Sequence, residues 1–148
     1  MTFYNSVEGF RRIDALGAEW KDFFFLISFD RNQILAEPLD QLPENLLFRL
    51  EEWNNEPNLP KKSAEEREKP IRTFPPDYAD YLDAFESVIE EIRRGNTYLL
   101  NLTFPSRIET ETSLVEIYRA AQAPYKLHLP GVFTCFSPEK FITIRQRH

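Results

Sequence analysis

Apolar positions along this 148-residue chain change their period several times, and each change marks an element. Over residues 4–20, Val7, Phe10, Ile13 and Leu16 recur at helical spacing and predict a helix that Gly17 stops. Residues 22–30 then run Asp-Phe-Phe-Phe-Leu-Ile-Ser-Phe-Asp. A run that apolar, without alternation, predicts a central strand covered on both faces. Arg31-Asn32 predicts a tight turn into a second strand over 33–37, which Pro38 ends, so the two strands form a hairpin. Residues 45–50 fit either a third strand or a short helix.

The pattern lapses between Asn54 and Pro76, where Asn, Glu, Lys and Pro dominate. This stretch predicts a solvated linker between an N-terminal subregion, 1–53, and a larger region, 77–148. Asp77 then caps the best helix in the chain, and Gly95 supplies a left-handed stop. Tyr78, Tyr81, Leu82, Phe85, Val88, Ile89 and Ile92 make one broad stripe, expected to pack onto a sheet, and Glu90 stands four residues before Arg94. After Gly95 the period becomes two. Tyr98, Leu100, Leu102 and Phe104 point one way, and Thr97, Leu99, Asn101 and Thr103 the other, which predicts a strand over 97–104. Beyond Pro105 come a short continuation through Ile108, a helix capped by Thr112-Ser113, and a hairpin of 125–129 with 132–136 turning at Pro130-Gly131. Ser137-Pro138-Glu139 predicts a one-turn insertion, and 141–144 begin a further strand.

Composition narrows what such a chain can do. It holds 13 Phe, 6 Tyr and 2 Trp, enough aromatic surface to build a core. Eighteen Lys plus Arg against 24 Asp plus Glu leave a net charge of −6, which argues against nucleic-acid or anionic-membrane partners. The single cysteine, Cys135, excludes an intrachain disulfide and reads as a small buried thiol. The start lacks the basic and apolar pattern of a secretory signal, and no apolar run reaches a membrane span, so a cytoplasmic location is expected. The two histidines, His128 and His148, have no metal-ligand partner at helical or strand spacing. Four glycines are too few and too scattered for a phosphate-cradling loop. What remains is the polar stripe of the 97–104 strand, where a buried Asn101 beside Thr103 must be satisfied by the fold or by a polar ligand.

The stretch Ile92-Arg93-Arg94-Gly95-Asn96-Thr97-Tyr98-Leu99-Leu100-Asn101-Leu102-Thr103 resembles a signature of chorismate-utilising enzymes, in which a helix runs into I-x-x-G-D-x-Y-Q-x-N-L-[ST]. Leu114 to Tyr118 is similar to that family's L-x-x-x-Y helix. Ala123-Pro124-Tyr125 resembles its N-P-x-P-Y segment, and Phe136 to Phe141 its S-S-P-E-x-F. The four landmarks stand in the family's order. The opening strand, 23–30, is similar to that of short aminodeoxychorismate synthase (para-aminobenzoate synthase) component I chains. The sequence departs at Asn96, where the family has an acid, at Leu99, where it has Gln, and in the shortened Ala123-Pro124-Tyr125.

The resemblance implies an α+β fold, an α/β sandwich of two mainly antiparallel sheets with helices outside, present here only as an incomplete N-terminal portion. It implies chorismate as substrate, Mg2+ for the complete enzyme, and ammonia from a glutamine amidotransferase subunit, in the route to folate. It places the reactive-lysine motif, Pro-x-Lys-Gly-Thr in form, just past Ile144, so no catalytic and no metal-binding residue is assigned in this chain. Pro124 and Tyr125 correspond to a segment that borders an amino-acid effector pocket in some relatives, with Ser28 and Asp30 facing it from the end of the first strand. Anthranilate and isochorismate synthases are the close rivals within the family. A small non-catalytic α/β module that binds a ligand or partner is the rival outside it. An unfinished sheet would offer an edge for pairing with a second copy.

Overall fold

A computed structural model describes residues 1–56, 70–138, 140 and 142. In chain order the elements are α1 (Ser6–Ala18), β1 (Phe23–Ile27), β2 (Ile34–Pro38), a 3-10 turn (Leu39–Gln41), β3 (Leu47–Leu50), β4 (Trp53–Asn54), β5 (Arg72–Phe74), α2 (Tyr78–Arg93), β6 (Arg107–Glu109), α3 (Leu114–Ala120), β7 (Tyr125–Leu129) and β8 (Phe133–Phe136). Every strand pair among the described residues is antiparallel, and the class is α+β as expected. The residues group into two units, one drawn from Met1–Leu59 with Leu114–His148 and the other from Pro60–Ser113.

In the first unit, Asn5 caps α1 by accepting from the Glu8 amide at 3.0 Å, while its side-chain amide donates to the Glu8 carboxylate at 2.9 Å. The buried stripe of α1 runs through Gly9 and Leu16, and Val7 and Phe10 are exposed. Gly9 sets this orientation. A Cβ there would lie 2.5 Å from Ile34 Cβ, so only glycine lets the helix sit this close to β2. Arg12 locks the contact, donating through Nε to Ala36 O at 2.7 Å and pairing with Glu37 at 2.7 Å. The expected stop at Gly17 is corrected: Gly17 lies inside the helix, and the left-handed residue after it is Trp20, at φ 53°.

The β1–β2 hairpin has the expected pairing, from Phe23 opposite Pro38 to Ile27 opposite Ile34. Its roles are reversed, however. β2 is the buried strand, whereas β1 pairs among the described residues with β2 alone and leaves Phe25 half exposed. Residues 47–50 form a strand, which settles the strand-or-helix alternative. This strand lies inside a four-stranded sheet of order β4-β3-β7-β8. Leu35, Leu46, Phe48 and Leu129 are the buried cluster between hairpin and sheet, with Phe24, Leu26, Leu39, Leu42, Leu127 and Phe133 packed on it. The β7–β8 turn falls at Pro130-Gly131 as expected, and Gly131 takes φ 72°.

The second unit carries α2 and the small β5–β6 ribbon. Asp77 caps α2 by accepting from the Ala79 amide at 2.8 Å. Gly95 closes it at φ 78°, its amide donating to Ile92 O at 3.0 Å while Asn96 donates to Glu91 O at 3.0 Å. Along the helix Tyr78, Tyr81 and Phe85 stack at 6.5 and 6.2 Å, and Tyr81 meets Phe104 at 5.7 Å.

Two expectations for this region are corrected. No residue of α2 is buried, so its stripe covers no sheet among the described residues. The 97–104 segment is no strand, for it has no ladder partner there. Its alternation survives only as a trace, with Leu102 and Phe104 half-buried between exposed Asn101 and Thr103. Alternation sets which way side chains point, but a strand exists only when a neighbour takes its amides and carbonyls.

The 54–76 stretch has structure at both ends. Asn54 is in β4, Asn55 and Glu56 are bound into the first unit, and Arg72–Phe74 pairs with Arg107–Glu109. Residues 57–69 lie outside the described residues, as do Glu139, Phe141 and 143–148 of the expected insertion and last strand.

Candidate functional site

A cluster of charged groups is built where β3, β7 and α3 meet in the first unit. β7 reads Tyr-Lys-Leu-His-Leu, and its alternation puts Lys126 and His128 on one face. Both are buried, at 7% and 6% exposure. Lys126 Nζ pairs with Glu56 Oε1 at 2.8 Å, donates to Tyr118 O at 3.2 Å and to Ala121 O at 3.3 Å, and lies 4.3 Å from the Tyr118 ring centroid. The Tyr118 hydroxyl donates to Glu56 Oε1 at 2.8 Å. Arg49 of β3 pairs with the other oxygen, Glu56 Oε2. One carboxylate therefore ties together a strand, a helix and a buried ammonium.

Electrostatics follow from that arrangement. Burial works against a charged Glu56, but donation from Arg49, Lys126 and Tyr118 outweighs it and brings the carboxyl down to about 2. The Tyr118 phenol is pushed far above its ordinary value, first by burial and then by its bond to Glu56. With its carboxylate neutralised, its ammonium on carbonyls and its phenol unable to ionise, the cluster is a strut. It holds no free base or nucleophile.

Beside it lies an open cleft of about 390 Å³, bordered by Arg49, Glu51, Lys126 and residues 121–124. At its rim the Tyr125 hydroxyl donates to Glu51 Oε1, which also takes Lys140 Nζ at 2.8 Å. The Glu51 amide donates to Pro124 O at 2.7 Å, with Glu51 itself at φ 58°.

The six residues proposed from sequence are placed as follows. Pro124 lines this cleft, and Tyr125 is fixed at its rim. Ser28 and Asp30 do not line it. They build the β1–β2 turn, with Ser28 Oγ donating to Asp30 Oδ1 at 2.6 Å, the Asn32 amide donating to Asp30 at 3.1 Å, and the Gln33 amide donating to Ser28 Oγ at 3.0 Å. Those bonds hold the Asp30 carboxyl below its usual range. Asn101 and Thr103 are exposed in the second unit, so the expected buried amide is absent there. Cys135 is half-buried, and burial pushes its thiol up and away from reactivity. Among the described residues, no group of three or more His, Cys, Asp or Glu is arranged to hold a metal ion. None of the described helices is long and apolar enough to cross a membrane.

Glu56, Arg49 and Lys126 were not singled out from the sequence. The sequence carried no signal for them, because the alternation of Tyr-Lys-Leu-His-Leu reads as a strand whose Lys126 and His128 face solvent.

A family model described as chorismate binding enzyme matches residues 13–148. An uncharacterised PabA-like protein of Pasteurella multocida is 36% identical over 138 residues, covering 90% of this chain and 41% of that protein. An uncharacterised PabA-like protein of Haemophilus influenzae is 34% identical over 137 residues, covering 89% and 39%. The chain thus spans about two fifths of the length of these relatives. No solved structure matches it.

Proposed function

Since this chain belongs to the chorismate binding enzyme family, we propose that it is part of an aminodeoxychorismate synthase component I, which aminates chorismate on the way to para-aminobenzoate and folate. The observation that supports this reading is the family match over residues 13–148, with the family's four landmarks in order. Ammonia comes from a glutamine amidotransferase subunit, and the location is the cytoplasm. Mg2+ belongs to the complete enzyme.

Within this reading the 148 residues supply scaffold and no catalytic group. The Glu56 cluster fixes α3 and the 121–124 segment against β3 and β7, and the cleft edged by Pro124 takes an amino-acid effector. Ser28 and Asp30 serve the turn that shapes the hairpin. A self-contained module is disfavoured by surface chemistry: Trp20, Phe29, Tyr98 and Leu99 are each more than four-fifths exposed, which a finished domain with 13 Phe and 6 Tyr has no reason to leave so.

The test has two parts. Reading the gene beyond residue 148 is expected to reveal Pro-x-Lys-Gly-Thr within a few tens of residues. The longer product, given chorismate, Mg2+ and ammonium, is expected to yield aminodeoxychorismate by chromatography, and the 148-residue chain to yield nothing. Anthranilate or isochorismate from the longer product would move the assignment to another branch. Turnover by the 148 residues alone would refute the scaffold reading.

A further inference from the structure

The two edges of the β1–β2 hairpin differ in what they leave unpaired. The Leu39 amide donates to Asp22 O at 3.1 Å, and the Ser28 amide donates to Gln33 O at 3.0 Å. Antiparallel pairs alternate, so between these two bonds Phe24 and Leu26 turn their amides and carbonyls toward β2. The amides and carbonyls of Phe23, Phe25 and Ile27 then point outward. On the far side of β2 the outward groups are accounted for. Ile34 exchanges both its bonds with Tyr4, at 2.8 and 2.9 Å, Ala36 O accepts from Arg12, and Pro38 has no amide to offer. On β1 nothing takes them, since among the described residues its one neighbour is β2.

The strand also lacks the devices that guard an edge. No charge, proline or glycine falls between Asp22 and Asp30, and the pairing with β2 runs without a bulge. Phe25 is 51% exposed at its centre, and Trp20 and Phe29, at 89% and 106%, flank its two ends.

We propose that this edge takes the same edge of a second copy of the chain, antiparallel about a twofold axis through Phe25. Phe25 then faces Phe25 of the second copy, Phe23 faces Ile27, and each outward amide meets a carbonyl. Charge selects this direction. The twofold register sets Asp22 opposite Ser28, Lys21 opposite Phe29 and Asp30 opposite Trp20, whereas a parallel in-register pairing opposes Asp22 to Asp22 and Asp30 to Asp30. Such an interface uses the same patch on both copies, and the outer side of β2 is already closed, so growth stops at two. The inference goes beyond the enzyme assignment and does not depend on it.

Sedimentation of the 148-residue chain should show a monomer–dimer equilibrium at this edge. Phe25→Pro removes an outward amide and no bond to β2, so it should abolish the dimer and leave the circular dichroism unchanged. Leu99→Asp, on the exposed surface of the second unit, should leave the dimer intact. In a Cys135→Ser background, mild oxidation should join Phe25→Cys chains to each other, because facing α-carbons in such a pair lie about 5.5 Å apart, within disulfide reach. Phe23→Cys should join Ile27→Cys in a mixture and not itself. A monomer at every concentration, a dimer that survives Phe25→Pro, or Phe23→Cys joining itself overturns the proposal. So does a monomeric chain whose β1 amides become protected only in a family-length product, which assigns the edge to the rest of that protein. Should Phe25→Pro fail to fold, the cross-linking pattern decides by itself.

Discussion

Glu56 sits at the start of a run of Asn, Glu, Lys and Pro, yet it bonds Arg49, Tyr118 and Lys126. Its carboxyl titrates at about 2 in the folded chain against an ordinary 4.5. A depressed carboxyl stabilises the fold above its unfolded value, and that contribution disappears as pH falls from 4.5 toward 2. The shift corresponds to about 3 kcal/mol. Urea unfolding followed from pH 6 downward should show this loss in wild type and a smaller one in Glu56→Gln, where Asp30 is still held below its usual range. At neutral pH that variant, which leaves Lys126 buried without its counter-charge, should be less stable by about 3 kcal/mol. Tyr118→Phe keeps the ring and removes one bond to a charged group, so a smaller loss of about 1.5 kcal/mol is expected. Little of this was legible in the sequence. Tyr118 could be placed inward by its helical spacing, but its partner is 62 positions away. No local pattern marks one glutamate among many as buried.

At the level of elements, caps and turns were readable where one residue decides them. Asp77 opens α2, Gly95 closes it and Gly131 turns the last hairpin, because each answers a local backbone need. Gly9 and Gly17 show where such reading stops. Both lie in α1, but only Gly9 touches another element. Gly9→Ala should destabilise the chain by about 1–3 kcal/mol, because its methyl meets the branched Ile34 side chain. Gly17→Ala, with nothing within 4 Å, should stabilise it by about 0.5–1 kcal/mol. Thermal unfolding by circular dichroism distinguishes the two. The apolar run 23–29 misled for a related reason. It records how many faces a strand was made to cover, and the described residues provide β1 with one neighbour only.

Among the described residues of the whole chain, one buried core stands beside a large amount of uncovered apolar surface. The core joins the first hairpin to the four-stranded sheet. Outside it, Tyr81, Phe85 and Ile92 of α2 remain partly exposed, and Tyr98 and Leu99 are almost wholly so. An environment-sensitive dye should therefore brighten on the native 148-residue chain, and sedimentation should show concentration-dependent self-association. A dark dye with a sharp monomer at all concentrations would indicate surfaces that are covered after all. Family membership was legible at this scale because four motifs kept their order. The cover for the 97–104 stripe was not, since a period of two names a face without naming its neighbour. On the proposed function, this stripe is a rib that a family-length protein buries. Amide exchange over residues 97–104 measures that most directly, compared between the 148-residue chain and a family-length product containing it. Near-intrinsic exchange in the short chain and strong protection in the long one are predicted. Equal protection in both would contradict the account.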